Sequence, residues 1–179
     1  MKTLDVVLNY FRDKKWSFLF ILGALALFSY LICLFYVQTG FDHSFYIGSS
    51  RLIMEGKYPF VDFNPAYPPL VFYLMTIPLS VFPDNVYTHL ATIYFIIFID
   101  AFLIYILSIQ ICKHKPISLF ASIYFLLLSL CFDGMFFLLE PFVLFFGLLS
   151  LIFVQRNNIV TLILTGIFSF VHLGVSNMA

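Results

Sequence analysis

HLATIYFIIFIDAFLIYILSIQI, residues 89–111, is a run of 23 residues with a single Asp, Glu, Lys or Arg side chain, Asp100. As a helix rising 1.5 Å per residue, a run of this size reaches about 34 Å, enough to cross a hydrocarbon core of roughly 30 Å. Further apolar runs occupy about 17–37, 67–83, 117–132, 134–153 and 158–173. Polar breaks at Pro83-Asp84-Asn85, Lys113-His114-Lys115-Pro116, Asp133-Gly134 and Gln155-Arg156-Asn157-Asn158 separate them. Across the 179 residues, 63% are hydrophobic and 10% charged, a balance that water does not solvate as a compact domain. The pattern predicts an all-α fold: a polytopic transmembrane helix bundle, one membrane domain over 1–179, with no stretch left for a soluble domain.

The run 67–83 is the exception among the six. Its 17 residues contain Pro68, Pro69, Pro78 and Pro83, and it is short for a crossing. If it stays on one side, Lys2, Arg12, Lys14, Lys15, Lys113, Lys115 and Arg156 share the cytoplasmic face, and only Arg51 and Lys57 lie outside. If it crosses, the basic residues divide four inside against five outside, contrary to the positive-inside rule. Five spans are therefore expected, at about 17–37, 89–111, 117–132, 134–153 and 158–173. The outer loop 38–83 then carries a juxtamembrane helix at 67–83. Residues 1–16 place Leu4, Val7, Leu8 and Phe11 at helical spacing among Lys2, Arg12, Asp13, Lys14 and Lys15, which suits an interfacial amphipathic helix. The run 17–37 is longer than a signal-peptide core and has no small-residue cleavage site after it. An integral protein of the plasma (inner) membrane with a cytoplasmic N-terminus follows.

Composition narrows the function classes. A net charge of zero gives no footprint for nucleic acid. Neither GxxxxGK[ST] nor GxGxxG occurs, and cytoplasmic loops of four or five residues hold no nucleotide domain. Cys33, Cys112 and Cys131 sit in or at the ends of apolar runs without CxxC spacing, so they read as small buried hydrophobes. By contrast Asp42, Glu55, Asp62, Asp84 and Asp133 all fall at the outer face.

The richest stretch is Thr39 to Tyr67, TGFDHSFYIGSSRLIMEGKYPFVDFNPAY, followed by Pro68-Pro69-Leu70. Phe45, Ser49, Leu52 and Ile53 recur at helical spacing after Asp42 and before Glu55-Gly56. This predicts a short outer helix with Asp42 near its N-terminus and Gly56 as its C′ stop. On the residues alone an N-cap is the simpler role for Asp42, and it is compatible with catalysis. Arg51 fits either a snorkelling interface residue or a phosphate ligand. Asp62, inside Pro59-Phe60-Val61-Asp62-Phe63-Asn64-Pro65, fits either a turn or a polar contact to sugar or metal. Asp133 fits a helix end at the water boundary or a site residue. Tyr67-Pro68-Pro69-Leu70 reads as a rigid helix start that brings the loop to the bilayer surface.

The order Asp42, Tyr46, Ser49-Ser50, Glu55-Gly56, Pro59-Phe60, Asp62-Phe63, Tyr67-Pro68-Pro69-Leu70 resembles the first extracytoplasmic loop of the GT-C type integral membrane glycosyltransferases, in particular the mannosyl- and arabinosyltransferase-like members. A weaker likeness lies at Phe132-Asp133-Gly134. Such enzymes are longer and have more spans, so the chain reads as an N-terminal portion. The resemblance implies transfer of a sugar from a polyprenyl-phosphate donor to a glycan or lipid acceptor at the outer face, with Asp42 as general base. It implies Arg51, Glu55, Asp62, Tyr67 and Asp133 as substrate-binding residues. A divalent metal is left open, as is a second chain that completes the fold in the membrane lipid.

Asp100 and Glu140 lie inside spans, where a carboxylate costs about 2.5–3.5 kcal/mol, so both are expected to face the bundle. They support an alternative, a proton-coupled transporter. A noncatalytic membrane subunit or remnant that keeps only the loop is the third reading.

Overall fold

The computed structural model describes residues 22–28, 30–31, 41–65, 69–132, 140–155 and 159–176; within these, the side chains of 41–44, 86, 130–132 and 168–176 fall outside the description. The described chain is all-helical and has no strand, only an isolated bridge between Pro59 and Phe63. After helical turns at 22–28 and 30–31 come α1 (Phe41–Met54), α2 (Leu70–Val81), α3 (Val86–Cys112), α4 (Lys115–Phe132), α5 (Glu140–Val154) and α6 (Ile159–Ser176). The expected interfacial helix at 1–16 lies outside the described residues.

Within α3, the 26 residues Tyr87–Cys112 form the one described helix long and apolar enough to cross a membrane. Its sides are apolar all round, with Ile93 and Ile97 buried and Phe95 62% exposed. Asn85 caps it by accepting the Thr88 N–H at 2.9 Å, and Lys113 ends it in a left-handed conformation, φ 55°. Only Lys113 and His114 separate α3 from α4, so the two helices fold back on each other and pack side by side. Ser118 and Ser122 of α4 are fully buried and donate to carbonyls one turn back, at 3.0 and 3.2 Å, so neither hydroxyl is left unsatisfied. Helix α3 also packs on α5, which in turn packs on α6.

By comparison α2 is short. Its 12 residues span about 18 Å at 1.5 Å each, against a hydrocarbon core of roughly 30 Å. Pro78 inside it also removes a backbone donor. Both features fit a helix that does not cross. Val71, Phe72 and Met75 of α2 are fully buried, and they join Leu22, Tyr46, Ile93, Ile97, Ala101, Leu126 and Phe142 in one apolar cluster. A second cluster, Leu103 with Leu148 and Ile152, seals α3 to α5.

Helix α1 packs on α2 through a face somewhat different from the one its periodicity suggests. Tyr46, Ile47, Ser49 and Ser50 are buried, whereas Phe45 and Ile53 are only partly so and Leu52 is intermediate. The Tyr46 and Phe45 rings lie 5.8 and 6.0 Å from the Phe72 ring. Ser50 donates its hydroxyl to the Tyr46 carbonyl at 2.9 Å. Gly56 stops α1 as its position predicts. Its φ is +83°, its N–H donates to the Ile53 carbonyl, and the Lys57 N–H donates to the Leu52 carbonyl, each at 2.9 Å, which together make a Schellman cap.

A paired substitution tests this cap. A Cβ built at Gly48 or at Gly56 meets nothing within 4 Å, so backbone conformation alone decides each outcome. Gly56→Ala is expected to lower stability by about 1–2 kcal/mol, the cost of a left-handed L-residue, whereas Gly48→Ala in the helix interior is expected to raise it by roughly 0.5–1 kcal/mol. Thermal unfolding of the detergent-solubilised variants reads both.

Candidate functional site

The end of α1 and the start of α3 meet at one carboxylate. Asn85 caps α3, and the Thr88 hydroxyl donates to the Pro83 carbonyl at 2.6 Å, which fixes the Pro83-Asp84-Asn85 break at the helix entrance. Held there, Asp84 presents its two oxygens in different directions. Oδ2 accepts from the Arg51 Nε–H at the end of α1, and Oδ1 lies 2.9 Å from His89 Nε2 in the first turns of α3. The His89 side chain is 2% exposed, Asp84 33% and Arg51 52%, so the cluster runs from the protein interior to the surface.

The hydrogen bond from Arg51 holds the Asp84 carboxyl below the ordinary carboxylate range, with partial burial opposing it and His89 adding to it. The same bond raises the Arg51 guanidinium above its ordinary value. Only Nε of Arg51 is bonded to Asp84. A guanidinium carries five N–H donors, and the remaining ones of a half-exposed side chain suit an anion such as a phosphate.

The other candidate residues distribute unevenly around this cluster. Glu55 is exposed, one residue past α1. Asp62 is exposed and closes its own turn, its carboxylate accepting the Tyr58 N–H at 2.7 Å and its N–H donating to the Tyr58 carbonyl at 2.9 Å. Of the two roles its sequence context allows, the turn is the one the structure displays. Asp42 is the second residue of α1, which begins at Phe41, so it stands in the first turn instead of at the cap; its side chain lies outside the described residues. Tyr67 and Asp133 lie outside them as well. Sequence reading pairs none of these with Asp84 or His89. The polar break before a helix and a histidine five residues on were visible, but the partner 33 residues earlier was not.

The two acids expected inside spans differ. Glu140 is exposed in the first turn of α5, where a carboxylate complements the helix dipole, so it does not face the bundle. Asp100 is fully buried, and neither carboxylate oxygen has a hydrogen-bond partner among the described residues. It stands on α3 between Ile97 and Ala101 of the larger apolar cluster and Leu103 of the smaller. Among the described residues no three His, Cys, Asp or Glu side chains gather as a metal site. Comparison with protein-family models, curated proteins and solved structures gives no match to this chain.

Because Asp84 has a lowered pKa in the folded protein, the stability it contributes is present above the ordinary value of 3.8 and is lost as pH falls through the lower folded value. For an exposed pair that contribution is about 1 kcal/mol or less. Asp84→Asn is therefore expected to melt slightly below the native chain at pH 6, with the gap closing below pH 3.8. A gap that persists at low pH would assign the effect to something other than charge.

Proposed function

We propose that the chain is a polyprenyl-phosphate-sugar-dependent glycosyltransferase of the GT-C type, or a portion of one. In this reading it is a polytopic bundle of the plasma (inner) membrane, with its N-terminus cytoplasmic and residues 38–83 on the outer face. The observation that supports it best is the hydrogen-bonded order of the described part of the motif-bearing loop, residues 41–65. Phe45 and Tyr46 seat α1 on Phe72 of α2, Ser49 and Ser50 are buried, Gly56 stops α1, Asp62 closes the following turn, and Arg51 is tied to the entrance of the long apolar α3. A loop built in this way can hold catalytic groups at a fixed height above a bilayer.

The chemistry asks little of the protein. Asp42 takes the proton of the acceptor hydroxyl as its oxygen bonds to the anomeric carbon of the donor sugar. The bond from that carbon to the phosphate oxygen breaks, and the polyprenyl phosphate departs with the electron pair. Phosphate is already a good leaving group, so the step needs a base and a cation near the departing charge, with no strong acid. Arg51 presents donors at the surface beyond the one that Asp84 takes, and Lys57 is exposed nearby in sequence. Glu55, Tyr67 and Asp133 are assigned to the sugar and acceptor by resemblance, and a divalent metal stays open.

Transfer of radiolabelled sugar from polyprenyl-phosphate donors by membranes containing the chain tests this reading. Asp42→Asn is expected to reduce transfer about 100-fold or more, as for loss of a general base, while membrane insertion is retained. Undiminished transfer by Asp42→Asn removes Asp42 from the mechanism. Absence of transfer by the inserted native chain with every donor favours the noncatalytic subunit or remnant.

Proton-coupled transport is a second reading, favoured by one observation: Asp100 is fully buried with no hydrogen-bond partner among the described residues. The exposed Glu140 does not add to it. Asp100→Asn separates the two functions, because in a transporter it is expected to abolish pH-gradient-driven uptake into proteoliposomes. In a glycosyltransferase it is expected to leave transfer within about threefold, since Asp100 stands eleven residues, about 16 Å, along α3 from His89 of the Arg51–Asp84 cluster.

A further inference from the structure

The turn between α1 and α2 holds apolar side chains outward against a conformational cost. Phe60 has a φ of 65°, a left-handed conformation that costs a non-glycine residue about 1–3 kcal/mol. Hydrogen bonds fix it there: Phe60 N–H to the Phe63 carbonyl at 2.8 Å, Val61 and Asp62 N–H to the Tyr58 carbonyl at 3.2 and 2.9 Å, and Tyr58 N–H to the Asp62 carboxylate at 2.7 Å. The result is that Tyr58, Phe60 and Val61 are 66%, 57% and 81% exposed. In water each forgoes burial worth about 1.5–3 kcal/mol for a large apolar side chain. No described part of the fold covers them.

Two placements identify what does. Arg51, near the end of α1, is bonded to Asp84, two residues ahead of α3, so the turn that begins at Lys57 leaves from the level at which α3 starts. If α3 crosses a bilayer, that level is the boundary between water and hydrocarbon. The residues around the tip also match that boundary, since aromatic rings prefer the headgroup region and the exposed Lys57 beside them suits lipid phosphate.

We propose that Tyr58, Phe60 and Val61 form a wedge inserted in the headgroup–acyl boundary of the outer leaflet, clamped by Asp62 and flanked by Lys57. The proposal rests on the reading of α3 as a membrane span. An insertion depth of about 5–10 Å is usual for apolar faces at this boundary. The rigid turn sets the loop's height against the lipid, so that the exposed donors of Arg51 stand where lipid phosphates lie.

Fluorescence quenching in proteoliposomes tests it. Trp16 is the only tryptophan, so Trp16→Phe gives a silent background. Into this background Val61→Trp and, separately, Phe95→Trp are introduced, both at exposed positions. Phe95 lies nine residues into α3, about 13 Å along it at 1.5 Å per residue. The Val61 probe is expected to emit at blue-shifted wavelength and lose most intensity to lipids brominated near the headgroup, the Phe95 probe to lipids brominated deep in the chains. Quenching at Phe95 with none at Val61 overturns the wedge and leaves the span intact. Blue-shifted but unquenched emission at Val61 overturns it in favour of a covering protein. Absence of quenching at both positions removes the span and the wedge with it.

Discussion

The seat of Phe72 is the contact on which the rest of the structure depends. Its ring is fully buried, meets Phe45 and Tyr46 of α1, and belongs to the same cluster as Leu22 and the inner residues of α3, α4 and α5. Aromatic pairs of this kind add about 0.5–1.5 kcal/mol beyond the area they bury, whereas the exposed Arg51–Asp84 pair contributes about 1 kcal/mol or less. Packing therefore holds α1 in place, and the ion pair orients its end. That division matters for function: a guanidinium that is not needed to hold the fold together is at liberty to exchange partners.

Much of the helical layout was legible because it depends on local chemistry. The polar break Pro83-Asp84-Asn85 ahead of α3, the left-handed stop at Gly56 and the proline-started α2 are consequences of residues acting on their own neighbourhood. What escaped depends on distant partners. That Tyr46 turns into the core requires Phe72 opposite it, and that Asp84 is shared by Arg51 and His89 requires the loop to fold first. Glu140 was expected to face the bundle because it lies within the apolar run 134–153, yet it is exposed in the first turn of its described helix. Phe60 at positive φ violates local preference, and only its hydrogen-bonded turn explains it.

The residues of the loop motif divide by task. Gly56 and Asp62 are engaged in building the chain path, and Ser49 and Ser50 are buried, the Ser50 hydroxyl bonded back to the Tyr46 carbonyl. Residues so engaged are weaker candidates for touching substrate. Arg51 retains both a structural contact and unused donors, which makes it the site residue whose geometry says most. Asp100 is the opposite case, a carboxyl surrounded by apolar side chains that no described group engages and that no packing requirement explains.

The two-residue link at Lys113 and His114 also has a kinetic meaning. Closing so short a loop loses little chain entropy, and contacts between sequence neighbours form faster than remote ones. The pairing of α3 with α4 is therefore the natural nucleus, and α5 with α6, joined by another short connection, is a second. Docking α5 against α3, and drawing Arg51 across 33 residues to Asp84, belong to later steps. The segment from α1 to α2 would then take its final form on a surface that the helices have already completed, which makes it the last part to assemble and the first to come undone.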